Sequence, residues 1–475
     1  MDIHVASLIG LILANAAVAA RVRRAQQPEN NKRGGATGLR SIIHNIRKVY
    51  SNSSPQDNAQ NIGLGYTFFP VYALVVASDW LQGPYLYPLY KQTLNLPENF
   101  VATLFATGFI SGALSATFAG KLADQYGRRR ACQAFCVIYA LSCLLTLSSN
   151  IFLLFLGRAL GGIGTTLLFT VFETWMVSEF HQRTAGGEGE LSSLLGTMTA
   201  LNSIVAVLSG LLSQFLVQLS ETRRAPFVAS IGCLILALLA ISRTWSENYG
   251  QSTAAKAGPT ANPLKDRIST IIKDKRILTL GITSTIFEGT MYLFVVFWSP
   301  AMIAARALST DPSSPPSDPP FGIIFAAFMA AMMLGSQLFT HSLLPSSTTP
   351  SPATDNESPT LSRATHLLKL LLPLSSACLS LSLILRYELS TLWSFAIFEL
   401  CVGMYYPSMG VLKSGIVSEK HRANVYALFR VPLNVFVALA LGMTEEGEAF
   451  RGNVFMTCSA LLVGAVGCVY AFMDA

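Results

Sequence analysis

The sequence contains too few charged residues to cover the surface of a water-soluble protein. Asp, Glu, Lys and Arg make up 12% of its 475 residues, whereas hydrophobic residues make up 51%. In soluble globular proteins roughly a quarter of the residues are charged. The scarcity of charge excludes a soluble globular enzyme and predicts a chain that is dissolved in a lipid bilayer.

The sequence also lacks the patterns of disulfide frameworks, metal sites and covalent catalysis. The eight cysteines lie in apolar runs without Cys-x-x-Cys spacing, and the six histidines lie in loops or near helix ends. These positions favour neither a disulfide framework nor a zinc site. No nucleophile with an adjacent base is recognisable. We therefore expect no cofactor, no metal and no enzymatic activity.

Long apolar runs are what the sequence has instead. A membrane-spanning helix needs about 20 apolar residues, and thirteen runs come close to that length. We call the first the N-terminal helix and the others core helices 1 to 12. Their ranges are 5–20, 66–88, 101–119, 131–148, 151–177, 192–216, 226–242, 277–300, 321–341, 367–385, 390–412, 423–443 and 453–473.

These runs predict five consecutive regions. They are an N-terminal transmembrane anchor (1–20), a basic cytoplasmic linker (21–65), a first six-helix half (66–242), a central cytoplasmic loop (243–276) and a second six-helix half (277–475). A short repeat supports the two halves, because Val177-Ser-Glu-Phe-His181 after core helix 4 recurs as Val417-Ser-Glu-Lys-His421 after core helix 10. Equal positions in two halves are typical of duplicated transporters.

The distribution of Lys and Arg predicts the orientation. If core helix 1 starts in the cytoplasm, the cytoplasmic segments hold 25 of the 33 Lys and Arg residues and the opposite face holds 6. Lys and Arg resist translocation in short loops, so we expect a cytoplasmic C-terminus. Arg21, Arg23 and Arg24 hold the end of the N-terminal helix in the cytoplasm, which predicts an extracellular N-terminus and, most simply, a membrane tether. The net charge of +7 is thus explained without a nucleic-acid partner.

The segment between core helices 2 and 3 reads Gly120-Lys-Leu-Ala-Asp124-Gln-Tyr-Gly127-Arg128-Arg129-Arg130. Gly120 predicts close helix approach, Asp124 an ion pair with an arginine, and Gly127 a turn. The segment resembles the signature loop of the major facilitator superfamily, G-x-L-A-D-x-x-G-R-R/K-R/K, at every defined position. The resemblance implies an all-α membrane protein with the major facilitator fold, two six-helix halves, here with one extra N-terminal transmembrane helix. It also implies that Asp124 and Arg128 form a latch that breaks and re-forms during transport.

Six further strings narrow the resemblance. They are Asp79-Trp-Leu-Gln-Gly-Pro-Tyr-Leu-Tyr87, Gly157-Arg-Ala-Leu-Gly-Gly162, Trp245-Ser-Glu-Asn-Tyr249, Gly322-Ile-Ile-Phe325, Tyr406-Pro-Ser-Met409 and Phe429-Arg-Val-Pro432. Together they are similar to the eukaryotic molybdate-anion transporters, a branch of that superfamily. The resemblance implies uptake of the tetrahedral dianion molybdate across the plasma membrane.

Ionisable residues inside membrane helices are costly and are therefore candidate site residues. The acids are Asp79, Glu173, Glu288 and Glu399, in core helices 1, 4, 7 and 10. In the fold that the resemblance implies, these four helices line the central cavity. We interpret Asp79, Glu288 and Glu399 as substrate-site residues and Glu173, near the cytoplasmic end of its run, as a coupling or gating residue. Structural pairing is the alternative for each.

The cations inside the predicted helices are Arg158 and Arg430, one in each half. A guanidinium group donates paired, charge-assisted hydrogen bonds to an oxyanion and stays protonated, so we predict that both contact the substrate, with ion pairing to the acids as the alternative. Arg158 also matches the arginine that the superfamily carries in its fourth helix, where it is credited with proton-linked coupling. Tyr85 is a further candidate contact. Gly157 and Gly161 predict close helix packing.

Four acids and two arginines would leave this site two charges negative, which is unfavourable for a dianion. If protons neutralise some acids when the anion binds, proton symport follows. If the acids pair with the arginines, the substrate is neutral or cationic. Besides molybdate uptake, the sequence leaves open a proton-coupled carrier of sugars or other small solutes, and a receptor or scaffold that kept the fold but lost transport.

Overall fold

The computed structural model describes residues 3–26, 55–183, 188–250, 274–309, 318–342 and 359–473. Within these ranges each predicted apolar run corresponds to one long helix, and there are no strands. The N-terminal helix is Ile3–Gln26, and core helices 1 to 12 are Pro55–Trp80, Glu98–Ser115, Arg128–Thr146, Ile151–Arg183, Glu188–Ser220, Ala225–Thr244, Lys275–Ser309, Phe321–Ser342, Pro359–Ile384, Glu388–Ile416, Glu419–Gly442 and Glu448–Phe472. Short helical turns over 83–93 continue core helix 1, and a short helix, Ala119–Tyr126, follows core helix 2.

The length and hydropathy of these helices are those of membrane spans. Ten helices in the described ranges are long and apolar enough to cross a membrane. The number is eleven if core helix 2 and Ala119–Tyr126, which meet at a bend of 51°, count as one span. The pattern is that of a multi-pass membrane protein.

The described helices fall into two compact units. In the unit formed by core helices 1 to 6, core helices 2 and 3 pack along core helix 4, and core helix 6 packs along core helices 1 and 3. An aromatic cluster fills its centre, where the rings of Trp175 and Trp245 stack 3.8 Å apart and Phe68 stacks beside them. Gly157 and Gly161 lie against Ser142 of core helix 3, whose hydroxyl donates to the Gly157 carbonyl at 2.7 Å. The close packing predicted for these glycines is confirmed.

The other unit contains the N-terminal helix and core helices 7 to 12. Core helices 8 and 9 pack along core helix 10, and core helices 10, 11 and 12 pack along core helix 7. Core helices 8 and 10 come together at Gly335 and Gly403. A Cβ atom at either position would collide with the backbone of the other helix, so these glycines permit the contact.

The N-terminal helix does more than tether the chain, because it packs along core helix 8. Its buried residues recur every three or four positions and form one stripe, namely His4, Ser7, Leu8, Leu11 and Asn15. Asn15 Nδ2 donates to the backbone carbonyl of Ala330 at 2.8 Å. At the other end of the stripe, His4 Nε2 lies 2.9 Å from Glu388 Oε1.

Several helix ends differ from the prediction. Core helix 4 continues to Arg183 and core helix 10 to Ile416, whereas core helix 2 already ends at Ser115. Polar turns beyond an apolar run still make helical hydrogen bonds, and hydropathy does not detect them. The short repeat also differs between its copies, because 177–181 lies inside core helix 4 whereas 417–418 separates core helices 10 and 11. Most of the predicted linker 21–65 and central loop 243–276 lies outside the described residues.

Candidate functional site

The signature loop is a short helix followed by a turn. Ala119–Tyr126 ends at Gly127, whose φ of +108° favours glycine, and core helix 3 begins at Arg128. A Cβ atom on Gly127 would also lie only 2.6 Å from the carboxylate of Glu247. The predicted turn at Gly127 is therefore confirmed.

The predicted ion pair of the loop is present. Arg128 Nε donates to Asp124 Oδ1 at 2.8 Å, and Nη2 lies 2.7 Å from the same oxygen. Arg128 Nη1 also donates to the Thr174 carbonyl of core helix 4 at 3.2 Å. The close helix approach expected at Gly120 is wrong, because no heavy atom of another described helix lies within 4 Å of the position of a Cβ there. Gly120 lies on the exposed side of the short helix.

The segment after core helix 6 holds this loop in place. The backbone N–H of Arg128 donates to the Asn248 carbonyl at 2.9 Å, and that of Gly250 donates to the Asp124 carbonyl at 3.2 Å. Glu247 Oε1 accepts from the Arg129 N–H at 2.8 Å, at the first turn of core helix 3, where a negative charge is favourable. The string 245–249 entered the sequence analysis only as a resemblance, and its contacts with the loop were not predicted.

Glu179 is a buried acid that the sequence analysis missed. It accepts hydrogen bonds from Arg183 at 2.8 Å, from Ser246 Oγ at 2.6 Å and from Asn248 Nδ2 at 3.2 Å. The predicted core helix 4 ended at residue 177, so Glu179 was assigned to a loop. It links core helix 4 to the segment that supports the signature loop.

Asp79 and Arg158 lie in the same unit but form no contact ion pair. The half-buried Asp79 accepts a hydrogen bond from the Tyr139 hydroxyl of core helix 3. The Arg158 guanidinium lies 5.3 Å from the centre of the Phe105 ring, and its Nε donates to the Leu104 carbonyl at 3.4 Å. Among the described residues, no acid lies within ion-pair distance of Arg158.

Gly108 makes room for this guanidinium. A Cβ atom at Gly108 would lie 2.7 Å from Arg158 Nη2. The charged group therefore occupies a slot beside core helix 2 that only a residue without a side chain can leave open. Arg158 forms no contact ion pair in the described residues, although the Asp79 carboxylate is close enough to interact with its charge.

Glu288, in the other unit, forms the ion pair that Arg158 lacks. Its Oε1 accepts from Ser284 Oγ at 2.8 Å and from the Tyr405 hydroxyl at 3.4 Å, and it lies 3.3 Å from Lys413 Nζ. The predicted core helix 10 ended at residue 412, which assigned Lys413 to the loop that follows. This assignment is wrong, because core helix 10 continues to Ile416. The prediction of two cations within the helices, Arg158 and Arg430, therefore omitted Lys413, and it also omitted the buried Lys369 of core helix 9.

Three predicted site residues have no polar partner in the described part of the chain. Glu399 is buried, whereas Glu173 and Arg430 are exposed. In the ranges that the structure describes, none of them forms a hydrogen bond or ion pair. The placement of Glu173 near a helix end was wrong, because core helix 4 extends ten residues beyond it, to Arg183.

Tyr85 is buried in the turns that follow core helix 1. Its hydroxyl donates to Gln214 Oε1 of core helix 5 at 2.8 Å. This contact gives Tyr85 a packing role, and its contact with substrate stays a prediction. The described residues contain no cluster of three or more His, Cys, Asp or Glu side chains that could hold a metal ion.

Comparison with known proteins extends these observations. Residues 37–353 match a family model described as sugar transporters with 12 transmembrane segments. A molybdate-anion transporter of Danio rerio is 30% identical over 434 residues, which cover 84% of this chain and 85% of the relative. The molybdate-anion transporter of Xenopus tropicalis is 28% identical over 441 residues, covering 88% and 89%. The chain belongs to the molybdate-anion transporter family of the major facilitator superfamily.

Solved structures of other transporters have the same fold as this family member. The nucleoside transporter NupG matches with a TM-score of 0.64 at 14% identity, covering 87% of this chain and 99% of that one. A peptide transporter, POT, in complex with sulfate matches with a TM-score of 0.67 at 13% identity, covering 90% and 98%. The predicted all-α membrane protein with the major facilitator fold is confirmed.

Proposed function

We propose that this transporter mediates the uptake of molybdate, a tetrahedral oxyanion, by alternating access across the plasma membrane. The names of its relatives support this substrate. The structural observation that carries the proposal is Arg158, a guanidinium group in a membrane helix with no acid at ion-pair distance among the described residues. An uncompensated charge in a membrane is costly, and a bound oxyanion would compensate it with bidentate hydrogen bonds.

The second arginine extends the same argument. Arg430 is exposed and forms no ion pair in the described part of the chain, and we propose that it also contacts the anion. Asp79 and Tyr85 are proposed to lie near the bound substrate. Asp79 accepts a hydrogen bond from Tyr139 and Tyr85 donates one to Gln214, so neither side chain is held by a contact ion pair with an arginine among the described residues.

Protons are the coupling ion that we propose. Glu399 is buried in core helix 10 without a polar partner among the described residues, and a protonated carboxyl group is the form that costs least there. Glu288 is the second acid that would carry a proton. The latch of Asp124 and Arg128, with the turn at Gly127, is proposed to open and close during the cycle, and Glu173 to act in the same step.

The proposal also includes the membrane orientation and the five regions that the sequence predicts. We propose an extracellular N-terminus, a cytoplasmic C-terminus, and the regions 1–20, 21–65, 66–242, 243–276 and 277–475. Protease protection in sealed vesicles tests this topology. Digestion of 21–65 from the outer face would contradict it.

Uptake of labelled molybdate by cells that lack their own carrier tests the function. We expect saturable uptake that competes with sulfate more strongly than with sugars, and that increases when the outside is acidified. Arg243→Lys is the control variant, because Arg243 is an exposed arginine at the end of core helix 6. Saturable uptake of a sugar without molybdate uptake would contradict the proposal and favour the function in the family model's description.

A further inference from the structure

The side chain of Lys413 is directed toward the neighbouring core helix 7 instead of toward the aqueous interface. It lies in the last turn of core helix 10, and lysine side chains near helix ends normally reach the aqueous interface. Here Nζ lies 3.3 Å from Glu288 Oε1 on core helix 7, and both side chains are only 19% exposed. Glu288 is therefore the charged partner of the inward-directed Lys413.

The hydrogen bonds of Glu288 are unevenly distributed over its two oxygens. Ser284, Tyr405 and Lys413 all approach Oε1. Among the described residues Oε2 accepts no hydrogen bond, which leaves one oxygen of the carboxylate open to a proton. The hydrogen bonds from Ser284 and Tyr405 to Oε1 do not involve Lys413 and can hold the side chain in place when the Lys413 contact breaks.

The ammonium group of Lys413 has a second set of neighbours that do not depend on Glu288. Its Nζ lies 5.9 Å from the ring centres of both Tyr426 and Phe429 on core helix 11. Aromatic faces attract a cation, so Lys413 would stay in this part of the unit if Glu288 lost its charge. It would then be a half-buried cation without its carboxylate partner.

We propose that Glu288 and Lys413 form an exchangeable ion pair, in which a tetrahedral dianion replaces the Glu288 carboxylate as the partner of Lys413 when Glu288 takes up a proton. The contact between ammonium and carboxylate breaks, the proton binds to the carboxylate, and the contact between ammonium and oxyanion forms. Lys413 stays protonated throughout. One proton therefore accompanies one dianion at this pair, which rests on the proposed oxyanion transport and makes Lys413 its further binding residue.

The other groups around Glu288 are compatible with this exchange. Tyr405 contacts Glu288 from core helix 10. Tyr292 and Tyr406 lie within electrostatic range of Glu288, as do Arg430 of Tyr292 and Glu399 of Tyr406. The tyrosines are neutral hydrogen-bonding groups, and Lys413 is the cation in direct contact with Glu288. The positive charge of Lys413 also reduces the charge deficit that four acids and two arginines would create.

A double-mutant cycle separates exchange from simple structural pairing. The variants are Glu288→Gln, Lys413→Met and the combination of both, and KM for molybdate uptake is measured over a series of pH values. We expect Lys413→Met to raise KM about tenfold to hundredfold, the range of one charge-assisted contact. We expect Glu288→Gln to bind and exchange molybdate without pH dependence, because its neutral side chain no longer competes for Lys413. The double variant should keep the high KM of Lys413→Met.

Structural pairing predicts the opposite for the double variant. If the two charges only neutralise each other, removing both restores transport, and a double variant with wild-type KM and wild-type pH dependence overturns the proposal. Lys369→Ala is the matched control, because Lys369 is a buried lysine of the same unit whose Nζ lies 4.8 Å from the Tyr470 ring, away from the pair. It should transport with wild-type KM.

A second variant and a direct binding measurement allow a decision even if Lys413→Met fails to fold. If Lys413→Met does not reach the membrane, Lys413→Arg keeps the charge, and we expect it to transport with pH dependence and a KM nearer to wild type. Binding of molybdate to the purified full-length protein, measured as thermal stabilisation, should be weakened by Lys413→Met and retained in Glu288→Gln. Equal stabilisation of all variants contradicts the exchange. Wild-type protein that takes up no molybdate contradicts the proposed function itself.

Discussion

The two units of the molecule each carry an acid in their first core helix, but they surround it differently. Asp79 accepts a hydrogen bond from the neutral Tyr139, whereas Glu288 contacts the charged Lys413. In the first unit Arg158 forms no contact ion pair with any described residue. The surroundings of the two acids therefore differ, because the first acid contacts a tyrosine whereas the second contacts a lysine.

The difference between arginine and lysine explains this arrangement. A guanidinium group spreads its charge over a plane, stacks on aromatic rings and is weakly hydrated, so Arg158 is accommodated by Phe105, the Leu104 carbonyl and the slot beside Gly108. An ammonium group is compact and strongly hydrated. Lys413 therefore needs the carboxylate of Glu288, or an anion in its place.

The largest expected effect is at Arg158. Arg158→Lys keeps the charge but loses the paired donors, and we expect KM for molybdate to rise about tenfold to hundredfold, since a charge-assisted hydrogen bond contributes about 1.5–3 kcal/mol. Arg158→Ala should be worse. Uptake kinetics measure the effect, with Arg243→Lys as the control. Wild-type affinity in a membrane-localised Arg158→Lys variant would make this arginine structural and would remove the contrast between the units.

The next effect is on the signature loop of the first unit. Gly127→Ala places a side chain at a φ of +108° and against Glu247, and we expect it to destabilise the unit by about 1–3 kcal/mol. Gly120→Ala is the matched control, because the space around Gly120 is open among the described residues. Thermal unfolding of the purified proteins measures the difference. Equal loss of stability in both variants would contradict this interpretation of the loop.

A smaller effect is expected at Asp79. In Asp79→Asn the amide oxygen still accepts from the Tyr139 hydroxyl, so only the charge is lost. We expect KM to change by less than about tenfold, and pH-dependent uptake to persist, because a neutral hydrogen bond of about 0.5–1.5 kcal/mol replaces the charge-assisted one. Uptake over a pH series compares this variant with Glu288→Gln. Loss of pH dependence in Asp79→Asn alone would assign the coupling acid to the first unit instead of the second.

The smallest expected effect concerns the N-terminal helix. Asn15→Leu removes the hydrogen bond to the Ala330 carbonyl, and interhelical hydrogen bonds in membrane proteins contribute about 0.6 kcal/mol on average. We expect a small decrease in thermal stability with unchanged KM. Leu13→Ala is the control, because Leu13 is 65% exposed. A decrease in Leu13→Ala as large as that in Asn15→Leu would indicate that the stripe containing Asn15 does not hold the helix.

The sequence by itself determined the number and order of the long helices, since an apolar run of membrane length is a local property of the chain. It also determined the turn at Gly127 and the pair of Asp124 and Arg128, because these residues are at most four positions apart. The signature motif was sufficient to indicate the superfamily.

Only the tertiary structure decided which charges meet. Glu288 and Lys413 are 125 positions apart, and no local pattern predicts that distance. Hydropathy also placed Lys413 in a loop, because a last helical turn that contains a charged residue has the same low hydropathy as a loop. Gly120 and Gly127 belong to the same motif, yet only the contact with Glu247 and the positive φ distinguish the required glycine from the tolerant one. Pairing, burial and close approach depend on helices that are distant in the chain, and for that reason they follow from the fold rather than from the sequence pattern.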